Sequence, residues 1–291
     1  MKISSTLPYF GCKRNLAAAI VEQLGPHRCY WEPFCGSCAV LFSKPKGTYE
    51  TVNDLHRDLI NLTLCLQDEA KAYQLYARTS QLLFHEELLP MARAMLTERK
   101  LEPGEIDVNR AYWYLVFSWM GLNGISGIPI NHAGTFAVRY SANGGNGATR
   151  WQSVCESIPD WHRRLVGVQI LSRDAFELLG RIQDEKGTAI YADPPYITKG
   201  AKYVHDFQED DHRRLAELLH RFRKCRVVVS YYSHPLLREL YSDWTVIPVK
   251  TAKALVNSGK REKGRVEAPE VLLVNGAEYF DGGEMGTLFP E

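Results

Sequence analysis

Short apolar segments alternate with helical patterns along much of this chain, and the alternation limits the possible folds more than any other feature. Strands are predicted at 29–31, 49–52, 168–171, 189–192 and 226–230. Helices are predicted at 14–24, 37–42, 55–66, 175–182 and 210–221. This order is typical of a doubly wound α/β sheet. Two later apolar segments, 244–249 and 271–274, predict a closing antiparallel pair.

The alternation is interrupted from about residue 67 to residue 166. This stretch is helical at first, with a buried helix predicted at 111–122, and then irregular, with Gly and Asn concentrated at 141–147. Such loops are often ordered by a ligand. We therefore predict one Rossmann-like α/β domain formed by 1–66 and 167–291, and a mostly helical recognition region inserted at 67–166.

The tetrapeptide Asp193-Pro194-Pro195-Tyr196 directly follows the predicted strand at 189–192. Because prolines cannot continue a central strand, the carboxylate lies just past the strand end. In an open α/β sheet that is where ligands bind. The tetrapeptide therefore predicts a functional site, with a rigid turn as the alternative interpretation.

The first predicted strand leads into Glu32, Phe34 and Gly36, and a helix begins soon afterwards. Glycine lets a ligand approach the backbone, and a helix N-terminus offers free N–H groups. The further glycines and the Lys-Ser/Thr pair of a phosphate loop are absent, and the dinucleotide fingerprint fails. The segment indicates a ligand cradle without naming the ligand.

Asp54 and Asp174 each follow a predicted strand, and each has two interpretations. Asp54 either caps the next helix or accepts hydrogen bonds from ribose hydroxyls, since it lies about 20 residues beyond the glycine loop. Asp174 either caps the helix at 175–182 or bonds an adenine. Near the N-terminus, Tyr9 and Lys13 combine an aromatic wall with a cation, which suits a ligand that carries both charges.

Composition excludes several classes of protein. The apolar fraction of 45% suits a globular protein, and no segment approaches the ~20 apolar residues of a membrane span. The N-terminus lacks the apolar stretch of a signal peptide, so we expect a cytoplasmic protein. The seven cysteines are irregularly spaced and odd in number, which favours free thiols.

Cys35 and Cys38 have the CxxC spacing of redox or metal sites. A second ligand pair is missing, so we predict small buried thiols and no metal. The net charge of +1 argues neither for nor against nucleic acid. Basic residues cluster at 212–214, 221–226 and 250–265, and each cluster is either a solvated face or a phosphate-contacting surface.

Taken in order, these motifs resemble those of the Dam-like DNA adenine methyltransferases. The matching segments lie at 8–13, 32–37, 53–54, 193–196 and 269–275. The resemblance implies a Rossmann-like methyltransferase sheet and S-adenosylmethionine (AdoMet) as cofactor. It also implies site-specific methylation of the adenine N6 amino group in double-stranded DNA.

The resemblance places several residues around the cofactor. Tyr9 and Lys13 would face the methionine end of AdoMet, and Glu32, Phe34 and Gly36 would line its cradle. These assignments follow from the family pattern, and they agree with the ligand cradle indicated by the residues themselves.

By the same resemblance, Asp54 would hold the ribose hydroxyls and Asp174 would lie near the adenine ring of AdoMet. Asp193 would stand between the cofactor and the target base. Cys38 departs from the family pattern, which has a second glycine there. Because the thiol is small, we expect the pocket to survive.

The Asp193–Tyr196 motif suits methylation of an amino group. The exocyclic nitrogen of adenine is a poor nucleophile, so the enzyme needs acceptors for both of its hydrogens. The Asp193 carboxylate and the Pro194 carbonyl can supply them, with Pro195 helping to fix the turn and Tyr196 stacking on the base. AdoMet brings an activated methyl group, so no metal is required.

A base within a duplex cannot reach such a site, so the target must swing out. The insertion would then read the sequence, because Arg can contact guanine and Asn can contact adenine in the major groove. The candidates chosen on residue type and loop character are Arg139, Asn143, Asn146 and Arg150.

Several alternatives stay open at this stage. The same acceptor pair serves cytosine-N4 methylation, and a catalytically silent DNA-binding relative would keep the fold. RNA and protein-glutamine substrates are less favoured. We expect a monomer or a weak dimer with no membrane association. Host marking, restriction-modification and phage self-protection would have the same sequence pattern.

Overall fold

A computed structural model describes residues 4–8, 13–121, 135–138, 146–197, 207–252 and 267–277. Its strands are β1 (Cys29–Glu32), β2 (Tyr49–Asn53), β3 (Val168–Leu171), β4 (Thr188–Ala192), β5 (Arg226–Tyr232), β6 (Thr245–Ala252) and β7 (Glu267–Val274). Its helices are α1 (Ala17–Leu24), α2 (Ala39–Ser43), α3 (Arg57–Gln67), α4 (Glu69–Ser80), α5 (Leu88–Glu98), α6 (Val108–Met120), α7 (Gly147–Leu165), α8 (Ala175–Arg181), α9 (Glu209–His220) and α10 (Pro235–Leu240). A 3-10 turn, Lys13–Asn15, precedes α1.

The strands form one mixed sheet in the order β3-β2-β1-β4-β5-β7-β6. Strands β1 to β5 pair in parallel, whereas β7 lies antiparallel between β5 and β6. Strands β1 and β4 are neighbours, and the connections from them lead to opposite halves of the sheet. A crevice therefore opens at their carboxyl ends. The predicted doubly wound sheet with a closing antiparallel pair is confirmed.

Strand β4 is buried on both faces, as the continuous apolar run predicts. Successive side chains of a strand point to opposite faces. Ala189 and Tyr191 accordingly join one apolar cluster, and Ile190 and Ala192 join the other. With helices packed over both clusters, the sheet is fixed from each side, and Asp193 leaves β4 from a rigid support.

The predicted strands and helices of the parallel part are found close to their expected bounds, whereas β6 ends three residues later and β7 begins four residues earlier than predicted. Strand β5 continues to Tyr232, beyond its predicted end at 230, and α10 had no counterpart in the sequence prediction. Pro235 stands at the start of α10, where a proline is tolerated, and the His234 side chain caps it. None of the described helices is long and apolar enough to cross a membrane.

Helix α7 is the main difference from the sequence prediction, which left the end of the 67–166 region irregular. The helix begins directly after Asn146, whose side chain accepts a hydrogen bond from the Ala148 N–H at 2.9 Å. One face buries Trp151, Ile158 and Leu165. That helical spacing was overlooked because Gly and Asn precede the segment and a proline lies within it.

The described helices of the predicted insertion share a core with the sheet. Leu75 of α4, Leu115 of α6 and Trp161 of α7 belong to the same apolar cluster as Tyr30 and Val52. These helices are therefore packed against the sheet through a common apolar core. Its role in DNA recognition stays a prediction.

A buried charge cluster ties α7 to the sheet. Glu50 of β2 accepts hydrogen bonds from Arg164 at 2.6 and 2.8 Å, pairs with Lys44, and accepts the Gly47 N–H at 3.0 Å. Burial alone would raise the pKa of the Glu50 carboxyl, but the hydrogen bonds from Arg164 and Lys44 outweigh it and hold that pKa below its ordinary value. The carboxylate therefore stabilises the folded state while it is ionised.

The Glu50→Gln substitution should lower the free energy of unfolding by about 3 kcal/mol, because it leaves two buried cations without their shared carboxylate. Urea unfolding measures the loss. The exposed Glu98→Gln control should change stability by less than about 0.5 kcal/mol.

Since the pKa of Glu50 is lowered in the folded state, its contribution to the free energy of unfolding is present above the unfolded pKa of about 4.3 and is lost as pH falls below that value. An equal response from both variants would contradict this role.

Candidate functional site

The Asp193 carboxylate lies at the carboxyl end of β4, in the crevice beside β1. Its Oδ2 atom is 2.9 Å from the Nζ atom of Lys13, and its Oδ1 atom accepts a hydrogen bond from the Ser230 hydroxyl at 2.8 Å. The structure therefore brings together the predicted residues Lys13 and Asp193, which are far apart in the chain. Ser230, at the matching end of β5, was not predicted.

A short chain of hydroxyl groups holds the Oδ1 side of Asp193. The Tyr191 hydroxyl is 2.8 Å from Ser230 Oγ. Since a serine hydroxyl has one hydrogen, and Ser230 directs it to Asp193, Tyr191 is the donor in this pair. Both Tyr191 and Ser230 are fully buried. This chain fixes the orientation of the carboxylate from behind.

Lys13 lies among three groups of the crevice. Besides Asp193, its ammonium group is 3.6 Å from Glu270 Oε1 and 4.9 Å from the centre of the Tyr196 ring. The Tyr196 hydroxyl donates a hydrogen bond of 2.6 Å to the same Glu270 oxygen. Glu270 belongs to the motif at 269–275 and is not among the predicted site residues. An acid within an apolar strand was the signal that could have identified it.

Burial raises the pKa of Asp193, because taking a carboxylate out of water favours its neutral form. The Lys13 ammonium and the Ser230 hydroxyl act in the opposite direction and stabilise the charged form. Asp193 is thus a partly buried hydrogen-bond acceptor, with 21% of its side chain exposed, and its charge depends on these two partners.

Glu32 ends β1 beside Asp193 and is only 2% exposed. Its Oε2 atom accepts a hydrogen bond of 2.9 Å from the Tyr30 hydroxyl. Burial raises the pKa of Glu32 to about 8, and the Asp193 charge contributes to the increase. Burial therefore favours the neutral form of Glu32.

The loop between β1 and α2 contacts the end of β2 through Asp54. Its Oδ2 atom accepts the Gly36 N–H at 2.9 Å, and its Oδ1 atom accepts the His56 N–H at 2.9 Å. The α3 N-cap is His56, so the capping alternative for Asp54 is wrong. Each carboxylate oxygen still has a second lone pair for a ligand hydroxyl.

Cys38 adopts a left-handed backbone conformation, with φ of 56° and ψ of 29°. It is the one residue other than glycine with a positive φ among the described residues. Its side chain is fully buried, and its N–H donates to the Cys35 carbonyl at 2.7 Å. This conformation explains why the family pattern has a glycine here, because glycine adopts it without steric cost.

Asp174 caps α8, since its Oδ1 atom accepts the Phe176 and Glu177 N–H groups at 2.9 and 3.0 Å. The capping interpretation is therefore confirmed. The side chain is exposed, and its proximity to the adenine of AdoMet stays a prediction.

Asn53 is buried at the end of β2. Its side chain forms hydrogen bonds with the backbone of Pro33 and Arg173 and so joins the ends of three strands.

Three phenylalanine rings lie together at this edge of the sheet. Phe207 stacks on Phe176 with ring centres 5.5 Å apart and meets the edge of Phe34 at 5.7 Å. The guanidinium of Arg214 lies over the Phe176 ring, 4.4 Å from its centre. Phe34 is a predicted site residue, whereas Phe176 and Phe207 are not, because they lie in distant segments of the chain.

The predicted DNA-reading residues are only partly described. Asn146 caps α7 and is exposed, and the exposed Arg150 lies one turn further, with its guanidinium 4.8 Å from the centre of the Trp119 ring. Arg139 and Asn143, like the predicted cofactor residue Tyr9, lie outside the described residues.

The cysteines of the described segments are free thiols, and Cys35 and Cys38 are both buried. The hydrogen bond between the Cys35 and Cys38 side chains, together with burial, raises the pKa of Cys35 well above its ordinary value, so this thiol is not an activated nucleophile. Within the described ranges, no group of three or more His, Cys, Asp or Glu side chains is arranged to hold a metal ion.

The chain matches a known protein family over most of its length. A family model for D12 class N6 adenine-specific DNA methyltransferases matches residues 9–255. The chain belongs to this family. The methyltransferase transfers a methyl group from AdoMet to the N6 amino group of adenine in DNA. The predicted family, activity and cofactor are confirmed, and the adenine prediction is favoured over the cytosine alternative.

A curated relative agrees with the family assignment. The methyltransferase is 27% identical over 285 residues to the Retron Ec67 DNA adenine methylase of Escherichia coli, covering 96% of this chain and 94% of that protein.

Two solved structures give weaker matches. A SAM-dependent methyltransferase from Agrobacterium tumefaciens matches at 16% identity and a TM-score of 0.27, covering 45% of this chain and 46% of that one. The structure of SMU.472, described as a methyltransferase complexed with SAH, matches at 10% identity and a TM-score of 0.26. The match covers 71% of this chain and 57% of that one. At such TM-scores neither supports a further conclusion.

The described residues of the crevice fit AdoMet chemically. Asp54 offers carboxylate lone pairs for hydroxyl groups, and the Gly36 backbone has no side chain to block an approaching ligand. Phe34 presents an aromatic ring, and Glu32 is a buried acid that a cation would ionise. These are the groups that a ribose, an aromatic ring and an ammonium require.

Substitutions at Cys38 should separate backbone strain from packing. Cys38→Gly removes the strain of about 1–2 kcal/mol that a side chain causes in this conformation, but it also removes a buried thiol, so the net change should be within about 1 kcal/mol. Cys38→Val should destabilise by about 2–3 kcal/mol because a β-branched residue fits this conformation poorly. Cys38→Ala is the control for loss of the thiol alone. Equal stability of the Val and Gly variants in urea unfolding would contradict this account.

Proposed function

We propose that this methyltransferase swings its target adenine out of double-stranded DNA into the crevice beside Asp193. The observation that carries the proposal is a carboxylate at the end of a central strand, oriented by Ser230 on one oxygen and paired with Lys13 on the other. The cost of extruding a base, a few kcal/mol, is offset by stacking and hydrogen bonds in the pocket.

Asp193 and Pro194 make the amino group of the base a better nucleophile. The carboxylate accepts one amino hydrogen and the Pro194 carbonyl accepts the other, which keeps the nitrogen lone pair out of the aromatic ring. Pro195 limits the rotation of that turn. The nitrogen would take the methyl carbon as its bond to the AdoMet sulfur breaks, which would leave the neutral thioether product, and the cationic nitrogen would then release one proton to water. Tyr196 presents its ring to the base.

AdoMet supplies the methyl group already activated by its sulfonium. In the proposed arrangement Asp54 receives the ribose hydroxyls, and Phe34 and Gly36 line the cradle. Asp174 lies near the adenine ring of the cofactor, where the stacked Phe176 and Phe207 would also pack.

The methionine end of the cofactor would lie near Tyr9, Lys13 and Glu32. A cation close to Glu32 favours its ionised form and reverses the effect of burial on its pKa. The resulting carboxylate could then pair with an ammonium group.

The recognition region would read DNA through the segment that leads into α7. Arg139 and Arg150 are proposed to contact guanine or phosphate, and Asn143 and Asn146 are proposed to contact adenine. In the described residues, Arg150 and Asn146 share the exposed start of α7, which supports a common surface.

We further propose that the enzyme acts as a monomer or a weak dimer in the cytoplasm. The free thiols of the described cysteines support a reducing compartment.

Asp193→Ala should retain AdoMet affinity within about tenfold but lose methyl transfer by at least about 10³-fold, since the variant lacks the main acceptor. Calorimetry measures the affinity, and tritium transfer from AdoMet to unmethylated genomic DNA, followed by nucleoside digestion, measures the activity and identifies the methylated base. Asp193→Asn keeps the shape and should also be inactive. Turnover in either variant would refute the role of the charge.

The pH dependence of the wild-type enzyme gives an independent check. Asp193 must be ionised to accept the amino hydrogen, and burial raises its pKa. The acid limb of kcat/KM should therefore lie at a higher pH than about 3.9, the pKa of an exposed aspartate. An acid limb at the exposed value would contradict either the raised pKa of Asp193 or its need to be ionised.

Arg139→Ala and Arg150→Ala should each weaken DNA binding or relax site preference, by about 1–3 kcal/mol where a base contact is lost. Binding measured over a range of salt concentrations separates phosphate contacts from base contacts. Arg181→Ala, in the exposed end of α8, is the matched control. Unchanged affinity and preference in both test variants would place DNA recognition elsewhere.

A further inference from the structure

The Lys13 ammonium lies in the space that the target base would enter under the proposed function, between Asp193 and the Tyr196 ring. It lies 2.9 Å from Asp193 Oδ2, the oxygen that Ser230 does not bind, and 4.9 Å from the centre of the Tyr196 ring. An amino group that donates to Asp193, and a base that stacks on Tyr196, would have to enter this same space. The ammonium is itself an N–H donor group and therefore resembles the amine that would replace it.

Glu270 offers the ammonium a second carboxylate close to the first. Its Oε1 atom is 3.6 Å from Lys13 Nζ and is held by the Tyr196 hydroxyl at 2.6 Å. The Glu270 backbone is also fixed, because β7 pairs with Tyr232 of β5 on one side and with Val249 of β6 on the other. A short movement of the lysine side chain would exchange one carboxylate for the other.

We propose that Lys13 is a removable substitute for the substrate amine, and that Glu270 is the positioning residue that receives Lys13 when the target adenine binds Asp193. The inference rests on the proposed role of Asp193 and goes beyond it. Before the base arrives, Lys13 keeps the Asp193 carboxylate ionised and oriented. When the base enters, Lys13 moves towards Glu270, so that a buried cation stays next to a carboxylate throughout.

The two carboxylates therefore have different functions. Asp193 contacts the reacting amino group, whereas Glu270 acts through Lys13 and Tyr196. The hydrogen bond to Tyr196 would hold Glu270 in place while the lysine moves, and it would keep the ring oriented for stacking. No covalent bond forms or breaks in this exchange, and the number of charges in the crevice is unchanged.

A double-mutant cycle tests the inference. Glu270→Gln keeps an oxygen that accepts the Tyr196 hydroxyl but removes the charge that receives Lys13. It should lower kcat/KM for unmethylated genomic DNA by about 10- to 100-fold, the size of coupling found between neighbouring charged side chains. In a Lys13→Met background, where no ammonium has to move, the same substitution should lower kcat/KM by less than about threefold. AdoMet affinity, measured by calorimetry, should be equal within about threefold with and without Glu270→Gln in each background.

Two results would overturn the inference. Full activity of Glu270→Gln would show that its charge is not needed. An equal loss in both Lys13 backgrounds would show that Glu270 acts only through Tyr196 or through packing. Tyr196→Phe, which removes only the hydroxyl group, gives the loss expected from the anchor alone. Thermal unfolding of each variant identifies any that fail to fold.

The pH profile of Lys13→Met adds a measurement that does not depend on any change at Glu270. Loss of the neighbouring ammonium should move the acid limb of kcat/KM to higher pH, because the Asp193 carboxylate loses a stabilising cation. An unshifted limb would contradict the pairing of Lys13 with Asp193 in the working enzyme.

The outcomes also separate this inference from the proposed function. If Asp193→Ala retains turnover, the role of Asp193 fails and the inference fails with it. If Asp193→Ala is inactive but the cycle shows no coupling between Lys13 and Glu270, the role of Asp193 stands and only the exchange is wrong.

Discussion

A charged acceptor in a buried crevice is stable only if its surroundings replace the water that it has lost. At the end of β4, Lys13 and Ser230 supply that replacement for Asp193, one on each oxygen. The order of the strands makes this possible, because parallel strands bring Asp193 and Ser230 to the same edge of the sheet. Because β7 is antiparallel to β5, Glu270 near the start of β7 lies at the same edge of the sheet. The electrostatics of the site thus depend directly on the topology of the sheet.

Much of this architecture could be predicted because strand and helix periods are local properties. The strands at the centre of the sheet are short apolar runs, and the Asp193–Tyr196 motif ends one of them in a way that no continuing strand allows. Asp174 shows the limit of such reasoning. Its position after a strand indicated both a cap and a ligand contact, and the structure identifies the cap from hydrogen bonds to Phe176 and Glu177. The ligand contact needs information that the residue type does not contain.

The partners of Asp193 could not be predicted, because they come together only through long-range register. Ser230 was included in a predicted strand, but its bond to Asp193 depends on the pairing of β4 with β5. Glu270 lies in a segment that the motif comparison included, yet its contact with Lys13 joins opposite ends of the chain. The sequence shows that Cys38 stands where the family pattern has a glycine. The reason for that glycine, a left-handed backbone conformation with φ of 56°, is visible only in the structure.

Helix α7 links the two halves of the proposed mechanism. It starts at the segment proposed to meet DNA and runs for 19 residues, about 28 Å, to the neighbourhood of Arg164, which binds Glu50 inside the sheet. The strand that carries Glu50 ends at the edge of the sheet where the cofactor is proposed to bind. Because of this continuity, the recognition region is not a free module. A chimera that exchanges it for the region of a relative would need to carry a matching cation at position 164, or the graft would leave the buried Glu50 with Lys44 but without its second cation.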